Sequence, residues 1–260
     1  MRRRSVLASV VTGVSTLGGC VGASHLSSRS VERSPPTPPD ELTRRSVIEH
    51  VESYEMVRGH NRRVEDGAVE VDLTATAQLD YVIGDGYHVT ARHSGSVRMT
   101  DDGGGDARSI RSDPVPYRVT ETETVRLDVD RRRIGGDGHN GTDEANGTDE
   151  ANEPDRSLGV RIPNFTDRTY ELAVTVVSDG GDGDVVSEWE GSVEDGSTVE
   201  LRGLASTPNR YRLVANLSRN GVTGQGRVDV DLPGVDRGPN ADVLLGPDGL
   251  TTRTLPDFDA

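Results

Sequence analysis

The residue best equipped for covalent chemistry is Cys20, because a thiolate is a strong nucleophile and the chain has no other cysteine. Cys20 directly follows Leu17, Gly18 and Gly19 and closes an N-terminal stretch that begins with arginines. A weakly apolar run, Val6–Leu17, lies between the two. This run is shorter than the roughly 20 residues that a helix needs to cross a bilayer. We therefore interpret the stretch as a processing segment and not as a transmembrane helix.

Two features of this stretch resemble export motifs. Arg3 and Arg4, followed by a serine and two apolar residues, resemble the core of a twin-arginine signal, and the Leu-Gly-Gly-Cys sequence that ends at Cys20 resembles a lipobox. The resemblance implies that residues 1–19 are a signal peptide and that the thiol of Cys20 accepts a lipid. It also implies a lipoprotein held at the extracellular face of the cell membrane. Export by the general route is the alternative to the twin-arginine route.

The composition is strongly acidic, with 44 acidic residues against 29 basic ones, all of them arginine, and a net charge of −15. Removal of residues 1–19 would make the charge −18. We interpret this surface as a solubility device, since self-repulsion is screened at high salt. The composition resembles that of proteins from salt-loving archaea. Nucleic acid and anionic head groups are excluded as partners, because both require a basic face.

The segment after Cys20 predicts a tether followed by one helix. Residues 20–40 include a polyproline run that would hold the folded part away from the membrane. Asp40 is the predicted N-cap of the helix and Gly59 its C-cap. Four apolar residues between them recur at helical spacing and form one stripe: Val47, Val51, Tyr54 and Val57.

The pattern then changes to alternation. Residues 69–83 are apolar at every second position, which predicts one half-buried strand or two strands joined by a bend near 74–76. A turn at 84–86 predicts a hairpin, and Gly95 predicts a further turn. Alternating residues between Tyr117 and Val129 predict one more strand. We therefore expect residues 41–133 to form a small α+β unit, with one helix on an antiparallel sheet.

Residues 134–157 are predicted to be an acidic, disordered linker between two halves. They contain the sequence Asn-Gly-Thr-Asp-Glu-Ala twice, at 140–145 and 146–151, and little that could fill a core.

The second half predicts a β-sandwich over residues 158–232, because short alternating strands follow one another closely. Their order resembles that of immunoglobulin-like or fibronectin-like modules, with Trp189 on the equivalent of strand C and Tyr211 opening the equivalent of strand F. The cysteine pair of antibody domains is missing. Residues 233–260 are predicted to be an extended C-terminal tail that could add an edge strand at Val243–Leu245. The expected fold class is mainly β.

Motifs for catalysis are not found. The chain has no Gly-x-Ser-x-Gly elbow and no His-Glu-x-x-His, and without lysine it cannot form a phosphate-binding Gly-Lys-Ser/Thr loop. His88 and His93 fall on opposite faces of one predicted strand and are interpreted as surface residues. His50 and His60 belong to the helix and its exit and have no predicted partner. We predict no enzyme activity and no cofactor.

Acidic, glycine-rich loops supply weak candidates for calcium ligands, because hard cations prefer oxygen. Asp182 and Asp184 form one such group, and Asp101, Asp102 and Asp106 form another. Neither matches a defined calcium loop, so no metal site is predicted.

Four Asn-x-Ser/Thr sequons are candidate glycosylation sites. Three are expected to be exposed in the linker or in a loop, and the fourth lies on the outward phase of a strand: Asn140, Asn146, Asn164 and Asn216.

These features predict a membrane-anchored extracellular lipoprotein that acts as a non-catalytic binding or envelope-organising module. Its partners would be the membrane, through the lipid, and a cell-surface protein or polysaccharide. The alternative is an extracellular hydrolase acting on a surface polymer, with residues 41–133 as the active unit. A cleft that holds two or more carboxylates about 5–10 Å apart would favour a glycosidase. A solute-binding component of a transporter is a third hypothesis, although one helix is too few for its α/β lobes.

Overall fold

The computed structural model describes residues 31–99, 107–134, 157–179, 183–219, 222–232, 239–246 and 249–256. The predicted signal peptide with Arg3 and Arg4, the lipobox ending at Cys20, and the sequons Asn140 and Asn146 lie outside the described residues. Asp182 and the cluster at 101–106 also lie outside them.

The described residues form one helix and fourteen strands, which confirms a mainly-β fold with one helix. The elements in chain order are α1 (Arg44–Glu65), β1 (Ala68–Ile83), β2 (Gly86–Met99), β3 (Arg108–Arg111), β4 (Val115–Val119), β5 (Thr124–Arg126), β6 (Asp128–Arg133), β7 (Val160–Pro163), β8 (Tyr170–Ser178), β9 (Val185–Val193), β10 (Ser197–Arg202), β11 (Arg210–Arg219), β12 (Val222–Asp231), β13 (Ala241–Gly246) and β14 (Gly249–Thr254). Within the described part of the chain, no helix combines the length and the hydropathy of a membrane span.

The strands form three sheets. Sheet A has the order β1-β2-β4-β5, with β3 paired to β2; sheet B has the order β14-β13-β7-β10-β6; sheet C has the order β12-β11-β8-β9. Helix α1 packs on one face of sheet A, and side chains on the other face of sheet A contact sheet B. Sheets B and C pack face to face around a second core, which confirms the predicted β-sandwich.

Helix α1 begins and ends later than predicted. Its N-cap is Thr43, whose side chain accepts a hydrogen bond from the backbone of Ser46 in a capping box, and not Asp40. Gly59 lies inside the helix, which continues to Glu65. A Cβ at Gly59 would lie 3.0 Å from ring atoms of His93, so the glycine lets helix and sheet approach closely.

The core between α1 and sheet A is built from the predicted helical stripe and from alternate residues of β2 and β4. Its buried members are Val47, Val51, Val89, Ala91, Val115, Tyr117 and Val119.

The predicted hairpin at 84–86 is confirmed, and β1 is a single strand of 16 residues. The turn predicted at Gly95 is wrong, because β2 continues through this position. A Cβ on Gly95 would collide with the backbone oxygen of Asp72 on the neighbouring strand, so glycine permits close pairing there and not a reversal.

A β-bulge interrupts the alternation of β1. Leu79 pairs with Val89, whereas Tyr81 pairs with His88, so Asp80 is the extra residue. A bulge changes the phase of a strand and redirects its side chains. As a result Asp80 and Tyr81 both contact side chains of sheet B, although they are adjacent in sequence.

The segment 124–133 does not belong to one sheet. Its first part, β5, pairs with β4 in sheet A, and its second part, β6, pairs in parallel with β10 in sheet B. The prediction of a single strand and of a unit boundary at 133 is therefore wrong. The apolar alternation continues through the buried Leu127, where the chain changes sheets, so the sequence pattern shows no break.

Both ends of the predicted linker are held at the end of β10. The backbone N–H of Ile134 donates to Arg202 O at 2.7 Å, and that of Leu158 donates to Ala205 O at 2.6 Å. The N–H of Gly203 also donates to the hydroxyl of Ser157 at 3.0 Å. Ile134 and Ser157, which flank the predicted linker, therefore lie at one place in the fold, and sheet B contains strands from both sides of that linker.

The sandwich retains one feature of the predicted module. The hydroxyl of Tyr211, at the start of β11, donates to the backbone oxygen of Thr207 at 2.8 Å, and the ring is buried. Such a bond from a tyrosine to the preceding chain fixes the corner that enters the strand. Trp189 also lies in this core.

The strand predicted at Val243–Leu245 is confirmed as part of β13, but residues 241–254 form two strands, β13 and β14, and not an extended tail. Strand β13 lies between β7 and β14 and is not an edge strand. It is only six residues long and nearly all buried, so its apolar run lacks the alternation that identifies a half-exposed strand.

The second half of the predicted tether is docked on the protein. We call residues 31–42 the strap, because they lie beside α1 from its last turns back to its first. The polyproline run is partly buried and does not hold the fold at a distance.

Candidate functional site

The first polar cluster lies beneath α1 and centres on Glu55, whose side chain is 1% exposed. One carboxylate oxygen accepts a hydrogen bond from His93 Nδ1 at 2.7 Å. The other accepts a short hydrogen bond from the hydroxyl of Tyr117 and a longer one from Arg126 Nε at 3.4 Å. Arg126 also donates to Asp128 at 2.7 Å. The helix supplies the acid of this cluster and sheet A supplies its donors.

These partners determine the charge of Glu55. Burial alone would raise the pKa of its carboxyl, but the hydrogen bonds from His93 and Tyr117, together with the charge of Arg126, outweigh it and lower the pKa. Glu55 is therefore ionised at neutral pH. Burial and the neighbouring carboxylate raise the pKa of Tyr117, which keeps its hydroxyl protonated as a donor.

The predictions for the histidines near α1 are wrong. His93 is not a surface residue, since its side chain is 11% exposed and is bound to Glu55. His50 is buried, with Nε2 2.7 Å from the hydroxyl of Thr124, and His60 is buried, with Nε2 3.0 Å from the backbone oxygen of Val31. Each imidazole joins two elements that are distant in sequence, which no local pattern reveals.

The second polar cluster joins sheet A to sheet B and centres on Arg161 of β7. Its Nε and Nη2 both bind Asp242 at 2.7 Å, and Nη2 also binds Asp80 at 2.9 Å. The remaining nitrogen, Nη1, donates to the hydroxyl of Thr90 at 2.5 Å. Thr90 donates in turn to Asp80 at 2.6 Å, and the hydroxyl of Tyr81 donates to Asp242 at 2.6 Å. We call these five residues the Arg161 cluster.

The Arg161 cluster is closed to solvent. The side chains of Arg161, Asp80 and Asp242 are 4%, 3% and 0% exposed. Two carboxylates therefore do come together, as a glycosidase would need, but they flank one guanidinium in the interior and not a cleft. A planar guanidinium that binds two carboxylates with several parallel bonds is well suited to fixing the relative position of two elements.

Burial shapes the protonation of this cluster. Burial raises the pKa of Asp80, although the nearby Arg161 opposes it, and the negative charge of Asp242 raises it further. The two carboxylates also raise the pKa of Arg161 against the effect of its burial, so the guanidinium stays charged. The residues of the Arg161 cluster come from four strands. Arg161, Asp242 and Thr90 each lie between apolar neighbours, so the sequence alone shows no motif.

His88 lies beside the Arg161 cluster and is buried, so its interpretation as a surface residue is wrong. Its ring is 4.8 Å from that of Tyr81 and 5.1 Å from that of Phe165, centre to centre, and the residue is buried. Its Nδ1 has no hydrogen-bond partner among the described residues. Burial, together with the charges of Arg118 and Arg161, lowers the pKa of His88 to about 4 in spite of the nearby Asp242.

Acid should destabilise the protein through His88, and His88→Phe should remove this effect. The pKa of His88 lies below its ordinary value of 6.5 in the folded state, so at neutral pH both states are uncharged and no penalty arises. Between pH 6.5 and about 4 only the unfolded chain gains the proton, which costs on the order of 3 kcal/mol of stability. Urea unfolding at about pH 7.5 and about pH 4.5 measures the difference.

We expect His88→Phe to match or exceed the parent in stability at the higher pH, because phenylalanine keeps the ring contacts and removes an unpaired buried nitrogen. It should lose less stability than the parent on acidification. An equal loss in both proteins would refute this account. The buried His50, whose pKa burial also lowers, is retained in both proteins and cancels in the comparison.

The other residues singled out in the sequence do not join either cluster. Asn164 is fully buried, and its side-chain nitrogen donates to the backbone oxygens of Arg168, Val193 and Glu194, so it is not an exposed glycan acceptor. These hydrogen bonds fix the conformation of the chain around Asn164. Asn216 is partly exposed and accepts a hydrogen bond from Gln225 on the adjacent strand.

No group of three or more metal-ligating side chains is found in the ranges that the structure describes. Asp184, the described member of the weak calcium pair, is exposed, and its backbone oxygen accepts a hydrogen bond from Ser178.

Comparison of the chain with protein family models, with curated proteins and with solved structures found no match.

Proposed function

We propose that this protein is a membrane-anchored extracellular lipoprotein that acts as a non-catalytic binding or envelope-organising module. The observation that carries the proposal is the closed Arg161 cluster. Its charged side chains form ion pairs with one another, and these pairs join sheet A to the sandwich. A buried network of this kind makes the fold rigid. A module that binds through its outer surface requires such rigidity.

The location rests on the N-terminal motifs. Arg3 and Arg4 support export, and Cys20 after Leu-Gly-Gly supports lipidation. The acidic, lysine-free composition supports a salt-rich setting. The partner in this proposal is a cell-surface protein or polysaccharide, and Asn140 and Asn146 are the proposed glycan acceptors, since Asn164 is buried.

Replacing Cys20 with serine should release the protein into the medium or leave the signal peptide uncleaved. A hydroxyl cannot replace the thiol that receives the lipid, and without the lipid no anchor of this kind remains. Membrane fractionation, with mass spectrometry of the N-terminal peptide, measures the outcome. Ser24→Ala, four residues further along the chain, is the matched control and should leave the protein in the membrane fraction. Unchanged membrane association of Cys20→Ser would contradict lipid anchoring.

A second function, hydrolysis of a surface polymer, is favoured by one observation. Glu55 orients His93 through Nδ1 at 2.7 Å, and the side chain of His93 is 11% exposed. A carboxylate-oriented imidazole is the arrangement of a general base.

If the protein cleaves an envelope polymer, and if His93→Gln abolishes this activity while the exposed Glu49→Gln does not, the hydrolase is the correct function and the first proposal fails.

A further inference from the structure

The strap is bound at both ends of α1. Near the helix C-terminus, the side chain of Asn61 donates to Arg33 O and accepts from Arg33 N, both at 2.8 Å, so one amide satisfies both backbone groups of a residue. His60 contacts the backbone oxygen of Val31 one residue earlier on the helix. Two adjacent helical side chains thus bind the strap by its backbone, in a manner independent of the strap's own sequence.

The other end of the strap is fixed at the helix N-terminus. The hydroxyl of Tyr87 donates to the backbone oxygen of Leu42 at 2.9 Å, and the hydroxyl of Ser46 donates to that of Glu41 at 2.7 Å. Leu42 also packs against the core beneath α1. The strap therefore runs antiparallel to α1, and the described chain begins beside the last turns of the helix.

This arrangement shortens the connection to Cys20. Val31 is the eleventh residue after Cys20, so the two can lie at most about 40 Å apart. Without the strap the free connection would extend from Cys20 to Thr43, and its maximum span would be about 80 Å. Neighbouring layers of the fold lie roughly 10 Å apart, so sheet C lies roughly 30 Å beyond α1. The strap thus limits the connection to a length similar to the thickness of the protein.

The end of α1 where the strap begins is nearly balanced in charge, in a chain whose net charge is −15. Three arginines of the helix and Arg33 of the strap lie here together with acids of both segments: Arg58, Arg62, Arg63, Glu32, Glu65 and Asp66. Asp66 pairs with Arg63 at 3.4 Å, and Asp128 lies 4.0 Å from Arg58. Repulsion from anionic lipid head groups is therefore weaker at this end than the overall charge of the protein suggests.

We propose that the strap turns the C-terminal end of α1 toward the lipid surface and leaves the β-sandwich facing outward. This inference rests on the proposed lipid anchor at Cys20. The binding face of the module would then be the outer part of the sandwich, and sheet A with its helix would be the membrane-proximal base.

Asn61→Ala tests the strap, because it removes both hydrogen bonds to Arg33 and leaves the helix intact. In a soluble Cys20→Ser background, amide exchange of Arg33 should become about fivefold faster, as expected for the loss of a hydrogen bond worth roughly 1 kcal/mol. Ser53→Ala on the same helix is the control and should leave this rate unchanged. Equal rates for Asn61→Ala and the parent would show that the strap is not held in this way.

The orientation is tested on the lipidated protein in vesicles of polar archaeal lipids. A fluorophore on Glu65→Cys or on Glu190→Cys reports the end of α1 or sheet C, and a lipid-phase spin label quenches whichever is nearer. Quenching at position 65 should exceed that at position 190 by at least about twofold, since the two lie several layers apart. Asn61→Ala should reduce this ratio toward one.

The outcomes separate the two proposals. A protein that does not float with the vesicles refutes the lipid anchor. A protein that floats but shows equal quenching at both positions keeps the anchor and overturns the orientation.

Discussion

Replacing Arg161 with methionine should lower the free energy of unfolding by about 4 kcal/mol, the largest loss expected from any single substitution in the described residues. Methionine fills a similar volume but leaves Asp80 and Asp242 buried without their cation. Two carboxylates in a low-dielectric interior must either take up protons or draw in water. The melting temperature should therefore fall by about 10 °C.

The measurement can follow both parts of the protein. Trp189, the only tryptophan, reports the sandwich by fluorescence, and far-UV circular dichroism reports α1. The two signals should change together in the parent protein, because the Arg161 cluster and the sheet change at Leu127 connect the layers. In Arg161→Met the helix and sheet A should unfold at lower denaturant than the sandwich.

Two controls make this prediction specific. Arg168→Met removes an exposed arginine that pairs with Asp167 at 3.6 Å, and it should change stability by less than about 0.5 kcal/mol. Combining Arg161→Met with Asp242→Leu should cost less than the sum of the two single changes, because the double variant leaves one buried charge fewer. Strict additivity would show that Arg161 and Asp242 do not act as a pair.

Salt separates this buried effect from the surface charge. The parent should melt at a lower temperature when salt is reduced from about 3 M to about 0.2 M, because its acidic surface is then less well screened. The difference in melting temperature between the parent and Arg161→Met should stay the same, since Arg161 and the carboxylate of Asp80 are buried and therefore little affected by dissolved salt. A parent protein indifferent to salt would contradict adaptation to brine.

Glu55→Gln should cost about 3 kcal/mol. Glutamine keeps the shape of the side chain but loses the negative charge that Arg126 and His93 face. Its amide nitrogen also replaces a carboxylate oxygen, the kind of atom that accepts the hydrogen bond from Tyr117. Urea unfolding near neutral pH measures the loss. Glu49→Gln, on the same helix, removes a carboxylate that is 59% exposed and should be nearly neutral.

The pH dependence gives this prediction a sign. The partners of Glu55 lower its pKa below the ordinary value of 4.5, so the stabilisation is complete above that value and is lost as the pH falls through the lower, folded-state pKa. The parent and Glu55→Gln should therefore converge in stability under strongly acidic conditions. A difference that grows on acidification would mean that Glu55 is not held as a carboxylate.

The sequence predicted the secondary structure where residues alternate and the local turns are strong. The hairpin at 84–86 and the strand before it followed from period-two alternation, and the helix followed from its apolar stripe. The pattern failed where a tertiary contact decides the conformation. Gly59 resembles a helix end, but it is a point of close packing against His93, which is 34 residues away.

Neither polar cluster could have been found by motif or spacing. Arg161 lies 81 residues from both Asp80 and Asp242, and only the bulge in β1 brings Tyr81 to the same face as Asp80. One signal was present: Arg161 and Asp242 each stand within short apolar strands, where an unpaired charge would be too costly. Charged residues in otherwise apolar, buried strands need partners of opposite charge, but a single sequence does not show which residues pair.

The positions of Ile134 and Ser157, both at the end of β10, have a consequence for how the chain tolerates change between them. A protease cut between Ile134 and Ser157 would yield two fragments that stay associated, because β6 on the first fragment is hydrogen-bonded to β10 on the second. Arg161 would also still be bound by Asp80 across the break. Repeats of the Asn-Gly-Thr-Asp-Glu-Ala unit can therefore accumulate or disappear there with little penalty, which makes this the natural place for a foreign domain to be inserted.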